Sequence, residues 1–118
     1  MKNQPFARKL RNAWRGIAAA WSAERNLRIQ AVAALAVLAG FGVLRPAPVW
    51  WALIVLCIVL VLAAEVLNSA LEALLDHLHP DLHPRIGRVK DMLAGMVLLV
   101  SVGAAVIGAI ALYATLCR

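Results

Sequence analysis

The residues of this chain best suited to chemistry are acids placed where acids are costly. Nineteen uncharged residues, Pro46 to Ala64, run directly into Glu65-Val66-Leu67-Asn68-Ser69-Ala70-Leu71-Glu72-Ala73-Leu74-Leu75-Asp76. At about 100° per residue, Glu72 and Asp76 each fall about 20° from Glu65 on a helix wheel, on opposite sides, with Asn68 about 60° away. Three carboxylates and an amide therefore share one face at the end of an apolar helix. A carboxylate at membrane depth costs about 2.5 kcal/mol or more, so the default reading is a functional site. Glu65 lies deepest and has no basic residue near it in sequence. Asp76 fits equally well an acid that emerges among headgroups and neutralises nearby arginines.

Other groups are less decided. Arg88-Val89-Lys90-Asp91 precedes the last apolar stretch, and a solvated helix end would look the same as a ligand pair. Glu24 is the only acid among seven cations (Lys2, Arg8, Lys9, Arg11, Arg15, Arg25, Arg28) in the first 28 residues. It stands four residues before Arg28, a spacing that suits a helix salt bridge or, alternatively, a ligand for a dication. His77, His79 and His83 share a stretch with Pro80 and Pro84 but with no cysteine, and give little support to a structural metal. Cys57 and Cys117 sit in apolar runs, as packing residues do, without disulfide-framework or zinc spacing. Neither GxxxxGK[ST] nor GxGxxG occurs, so both standard nucleotide cradles are absent. Acids in this number beside one lysine suit Mg²⁺ and a polyphosphate, because magnesium takes one or two carboxylates plus phosphate oxygens. The remaining buried carboxylate suits a base for a lipid-embedded hydroxyl.

The elements that must hold these groups follow from composition. Of 118 residues 64% are hydrophobic and only 15% charged, against about 25% charged in soluble domains. A chain this short cannot hide that apolar surface within itself, so lipid must cover part of it. The expected fold is an all-α membrane protein, a single membrane domain over residues 1–118. Ile29–Leu44, Pro46–Ala64 and Met92–Cys117 are uncharged, and a span needs about 20 apolar residues. These stretches predict transmembrane helices at about 27–44, 48–75 and 91–116. Arg45-Pro46-Ala47-Pro48 reads as a tight turn, with Trp50 and Trp51 as an aromatic belt. Ala104 and Gly108, four apart, offer a small face for helix contact.

Residues 5–24 differ in kind. Phe6, Leu10, Trp14, Ile17 and Trp21 recur on one helical face, while Lys9, Arg11, Asn12 and Arg15 fall largely elsewhere. That is a basic amphipathic helix expected in the membrane surface. The net charge of +6, concentrated next to apolar spans, points to a lipid-facing cytoplasmic end and not to nucleic acid. Its length, Glu24 and the lack of a small-residue cleavage site argue against a signal peptide. The stretch from His77 to Asp91 reads as a basic loop carrying Arg85, Arg88 and Lys90. The cation balance puts it and the N-terminus in the cytoplasm of a multi-pass protein.

The string Glu65-Val66-Leu67-Asn68-Ser69-Ala70-Leu71-Glu72, followed by Asp76 and Gly87-Arg88-Val89-Lys90-Asp91-Met92, resembles the small bacterial diacylglycerol kinase family. The likeness covers nearly the whole chain, including Ala19-Ala20-Trp21 and Glu24. It implies a homotrimer of three-span subunits in the bacterial inner membrane. These would transfer the γ-phosphate of MgATP to a lipid alcohol at the cytoplasmic face. On that resemblance Glu65 is the general base, Glu24 and Glu72 hold Mg²⁺, and Asn68 orders the site. Lys90 and Asp91 meet the nucleotide, with Asp81 and His83 in a nucleotide-contacting loop. The lipid slides along the surface helix near Arg8, Trp14, Trp21 and Arg28. The segment Ser22–Ile29 is more similar to the Gram-positive branch that favours undecaprenol, whereas Asn68-Ser69 and Lys90-Asp91-Met92 are closer to the diacylglycerol branch. Diacylglycerol is the expected substrate and undecaprenol the alternative. From another class, a small multidrug-type transporter would need four spans and one central acid early in the chain.

Overall fold

A computed structural model describes residues 5–81 and 83–118; Lys2, one of the N-terminal cations, lies outside them. Four helices follow one another: α1 (Phe6–Ala23), α2 (Arg25–Leu44), α3 (Pro48–Leu78) and α4 (Pro84–Leu116). Among the described residues there is no strand. The last three helices are each long and apolar enough to cross a membrane, and α1 is the shorter amphipathic helix.

Local chemistry sets each boundary. Glu24, with φ −112° and ψ 110°, breaks the helical path between α1 and α2. Arg28, in the first turn of α2, reaches back and donates from its guanidinium to the carbonyl oxygens of Trp21 (2.5 Å) and Ser22 (3.2 Å). A cation on the last carbonyls of a helix satisfies orphan acceptors and complements the helix dipole. The i,i+4 helix salt bridge expected between Glu24 and Arg28 is therefore not formed, because Glu24 is outside both helices and Arg28 is engaged elsewhere. At the other end of α2, Arg45 takes a left-handed conformation (φ 56°), and Pro46 follows it. Pro48 then occupies the first turn of α3, where its missing N–H costs nothing.

The basic loop expected from His77 to Asp91 is much shorter. Helix α3 continues through His77 and Leu78, and α4 starts at Pro84. The His83 side chain accepts a hydrogen bond at Nδ1 from the Arg85 backbone N–H (3.1 Å), and proline at the first helical position presets φ. Arg85, Arg88, Lys90 and Asp91 are thus helical residues. Charge had suggested a loop there, but cap and proline start a helix.

Helices α3 and α4 form the main hairpin, α2 lies along α3 and only glances at α4, and α1 touches α2 and α3. The apolar core sits towards the turn between α2 and α3, with Phe41, Ile54 and Ala111 buried and Leu38, Leu44, Trp50, Trp51 and Ile58 packed against them. Arg118 donates to the carbonyl oxygens of Arg45 (2.7 Å) and Leu44 (3.1 Å), fastening the chain end to the same turn. The stripe Phe6, Leu10, Trp14, Ile17 and Trp21 remains exposed along α1, Trp14 at 72%. Many apolar side chains of α2–α4 also face outward, as lipid-facing helices require.

Candidate active site

The length of α3 places the acids. With a rise of about 1.5 Å per residue, Glu65 stands about 26 Å from Pro48, Glu72 about 36 Å and Asp76 about 42 Å. A hydrocarbon core is about 30 Å thick. A span that begins at Pro48 would thus still contain Glu65, near its far boundary, and leave Glu72 and Asp76 beyond it. Glu65 is also the one buried charged residue among those described, 3% exposed. Its carboxylate has one protein partner: Gln30 of α2 donates from Nε2 to Glu65 Oε1 at 2.7 Å.

Glu24, at the α1–α2 joint, and Glu72, two turns further along α3, both lie close enough for their charges to act on Glu65. The break between α1 and α2 thus brings an acid from the N-terminal segment to acids 41 and 48 residues later. Asn68 Oδ1 and Ser69 Oγ, one turn from Glu65, are buried without a hydrogen-bond partner, as is Gln30 Oε1. Buried polar atoms are normally paired. Three such atoms are thus found on α2 and α3 at the level of the buried Glu65 carboxylate.

Lys90 donates from Nζ to Asp76 Oδ1 at 2.5 Å across the α3–α4 hairpin, the ion pair being partly exposed, and it feels the charge of Glu72 as well. The resemblance sets Lys90 and Asp91 together against the nucleotide; within the chain the hairpin pairs Lys90 with Asp76, 14 residues away. Among the described residues, Arg8, Asp81 and Asp91 make no hydrogen bond or ion pair to this cluster. His83 caps α4, and Arg28 caps α1 next to Trp21. Gln30 was passed over as a site residue. Its one signal was to be the only strongly polar side chain between Ile29 and Leu44.

An apolar groove of about 530 Å³ runs between α2, α3 and α4. Gln30 is at its polar end, and Ala33, Ala34, Ala104 and Gly108 are among the residues that line it. The small pair Ala104 and Gly108 thus faces open space in this chain.

Fold and cluster together define a small multi-pass membrane protein with polar and acidic side chains gathered towards one end of its long helices. A family model described as prokaryotic diacylglycerol kinase matches residues 11–112. The chain is 33% identical over 101 residues to a diacylglycerol kinase of Escherichia coli, covering 86% of this chain and 83% of that one. It is 32% identical over 99 residues to a diacylglycerol kinase of Synechocystis, covering 83% of this chain but 57% of that one. To an undecaprenol kinase of Bacillus subtilis it is 33% identical over 103 residues, 87% and 84% of the two chains. The chain belongs to the prokaryotic diacylglycerol kinase family and is a lipid kinase, for which ATP is the phosphoryl donor.

Proposed function

We propose that this protein phosphorylates a membrane lipid alcohol, diacylglycerol giving phosphatidic acid, with MgATP at the cytoplasmic face of the bacterial inner membrane. The observation that carries this reading is Glu65: a carboxylate buried at membrane depth, held by a neutral amide, with acids and a lysine just beyond it. A lipid hydroxyl lies at that depth and a nucleotide cannot, so the boundary is where the two substrates meet.

The chain's residues divide the work. Glu65 takes the proton of the lipid hydroxyl as the lipid oxygen attacks the γ-phosphorus. Lys90, beside Asp76, and Asp91 meet the polyphosphate, with Asp81 and His83 at the short α3–α4 connection bordering it. Trp14, Trp21 and Arg8 on α1 and Arg28 at its end guide the lipid along the surface. Among the described residues no group of three His, Cys, Asp or Glu side chains forms a complete metal cage. Magnesium bound to a nucleotide needs no such cage. Glu24 and Glu72 would hold it, and the orphaned Asn68 Oδ1 offers an acceptor for one of its waters. When bound, Mg²⁺ supplies neutralisation of charge on the transferring phosphate, where phosphoryl transfer asks most of a protein.

The N-terminus and the α3–α4 connection face the cytoplasm, because cations cluster there while the opposite end carries only Arg45 and Arg118 near the described helix ends. A homotrimer is the assembly we infer: the many apolar side chains that α2–α4 turn outward leave surface for neighbouring subunits. Undecaprenol is the second substrate reading, favoured by the equal identity to the Bacillus subtilis enzyme. A four-span transporter is disfavoured by three candidate spans among the described residues.

The test is transfer of γ-labelled phosphate from ATP in mixed micelles containing diacylglycerol, undecaprenol or neither. Label in diacylglycerol supports the first reading, and label mainly in undecaprenol moves the enzyme to lipid-carrier salvage. Label in neither lipid, from folded protein, overturns both.

A further inference from the structure

We propose that Gln30 is the positioning residue of the transfer reaction: it fixes one oxygen of Glu65 and leaves the other for the lipid hydroxyl. This rests on the lipid-kinase reading above and deepens it.

The geometry gives the carboxylate two unlike oxygens. Oε1 accepts from Gln30 Nε2 at 2.7 Å, and Oε2 has no partner among the described residues. A single-bonded carboxylate in an apolar wall would rotate about its last torsion, which is broad. The donor comes from another helix, 35 residues away, so it fixes the carboxylate relative to α2 as well as α3. The donor is also uncharged. A lysine or arginine at this place would favour the ionised carboxylate strongly; a neutral amide fixes it with a much weaker pull of the same sign.

Gln30 is placed to serve the substrate too. It sits at the polar end of the groove between α2, α3 and α4, so a lipid whose hydroxyl reaches Glu65 passes it. With Nε2 committed, its Oε1 is a buried acceptor without a partner, aligned for water or a second polar group beside the reacting hydroxyl. In the step itself the lipid O–H proton moves to Glu65 Oε2, and the lipid oxygen bonds to the γ-phosphorus. The bond from that phosphorus to the β–γ bridging oxygen breaks, and ADP leaves with the electron pair. Gln30 neither gains nor loses a proton.

The experiment compares wild type, Gln30→Met (similar length, no donor) and Gln30→His (an N–H donor retained) in mixed micelles. It reads kcat, KM for lipid and for MgATP, the solvent hydrogen isotope effect on kcat, and the melting temperature. Since a misplacement of about 1 Å can cost about 100-fold, Gln30→Met is expected to lose tenfold or more in kcat. KM for MgATP and the melting temperature stay near wild type, and the isotope effect rises as proton transfer becomes limiting. Gln30→His recovers much of the lost turnover. The proposal is overturned if Gln30→Met turns over within twofold of wild type, or if its loss comes with a lower melting temperature and is not relieved in Gln30→His. If Gln30→Met does not fold, the histidine variant decides alone: wild-type-like turnover supports the donor role, and a folded but inactive protein contradicts it. An inactive wild type would instead sink the kinase reading, so the two failures are separable.

Discussion

The two ends of this helical bundle are built on opposite principles. At the α2–α3 turn, Phe41, Ile54 and Ala111 pack with two tryptophans, and Arg118 closes the carbonyls that α2 leaves open. At the other end a carboxylate is buried, three polar atoms around it are unpaired, and acids from separate segments crowd together. The closed end has one such orphan among the described residues, Thr115 Oγ1. Burial at the turn stabilises the hairpin. At the far end burial of a carboxylate and of unpaired polar atoms opposes it, a cost that the proposed function accounts for. Along α3 the buried Ile54 and the buried Glu65 stand only about 17 Å apart, yet their surroundings differ in kind.

The largest expected effect breaks the reactive end alone. Glu65→Gln is nearly isosteric and still able to pair with Gln30, so it should remain folded while lipid phosphorylation falls about 10²–10⁴-fold, the range for loss of a general base. Retention of most of the turnover removes Glu65 from that role. The converse variant is Ile54→Ala, which empties the core at the turn. It should cost about 2 kcal/mol or more of stability, read as a lower melting temperature in detergent, with kcat within about threefold at temperatures where the protein is folded. A fall in kcat matching that of Glu65→Gln would erase the distinction between the two ends.

Smaller effects sharpen the reactive end. Glu24→Gln and Glu72→Gln should each raise the half-saturating Mg²⁺ concentration about tenfold, equivalent to about 1.4 kcal/mol, with turnover partly restored by excess Mg²⁺. Unchanged titration curves in both would remove them as ligands. The smallest stability effect belongs to Lys90→Met. Its ion pair with Asp76 is partly exposed, and exposed pairs contribute little to stability. A rise in KM for ATP with the melting temperature unchanged would place Lys90 on the nucleotide, and an unmoved KM would leave it a surface pair.

Which parts of this were legible in the sequence follows from the range of each interaction. Helix periodicity and apolar length are local, so the surface helix, three long apolar helices and the Glu65–Asn68–Glu72 stripe could be read directly. The short α3–α4 connection could not, because it depends on a histidine ring nitrogen capping a helix that proline begins. The Lys90–Asp76 pair could not be read either, because the hairpin joins residues 14 apart. Gln30 belonged to no motif. A single amide in an apolar run gains meaning only when another helix supplies a carboxylate at the same depth, and that register is tertiary information. The place of Glu24 depends on the break between α1 and α2, which removes it from helix pairing and leaves it within electrostatic reach of Glu65.

The most direct test of this division is a crossed measurement on Glu65→Gln and Ile54→Ala, with phosphate transfer to lipid and thermal unfolding read on the same purified samples. The account predicts that Glu65→Gln melts as wild type does and transfers almost no phosphate, while Ile54→Ala melts lower and still transfers it. If both variants lose stability and activity together, the two ends are one cooperative unit and Glu65 has not been shown to act on the substrate.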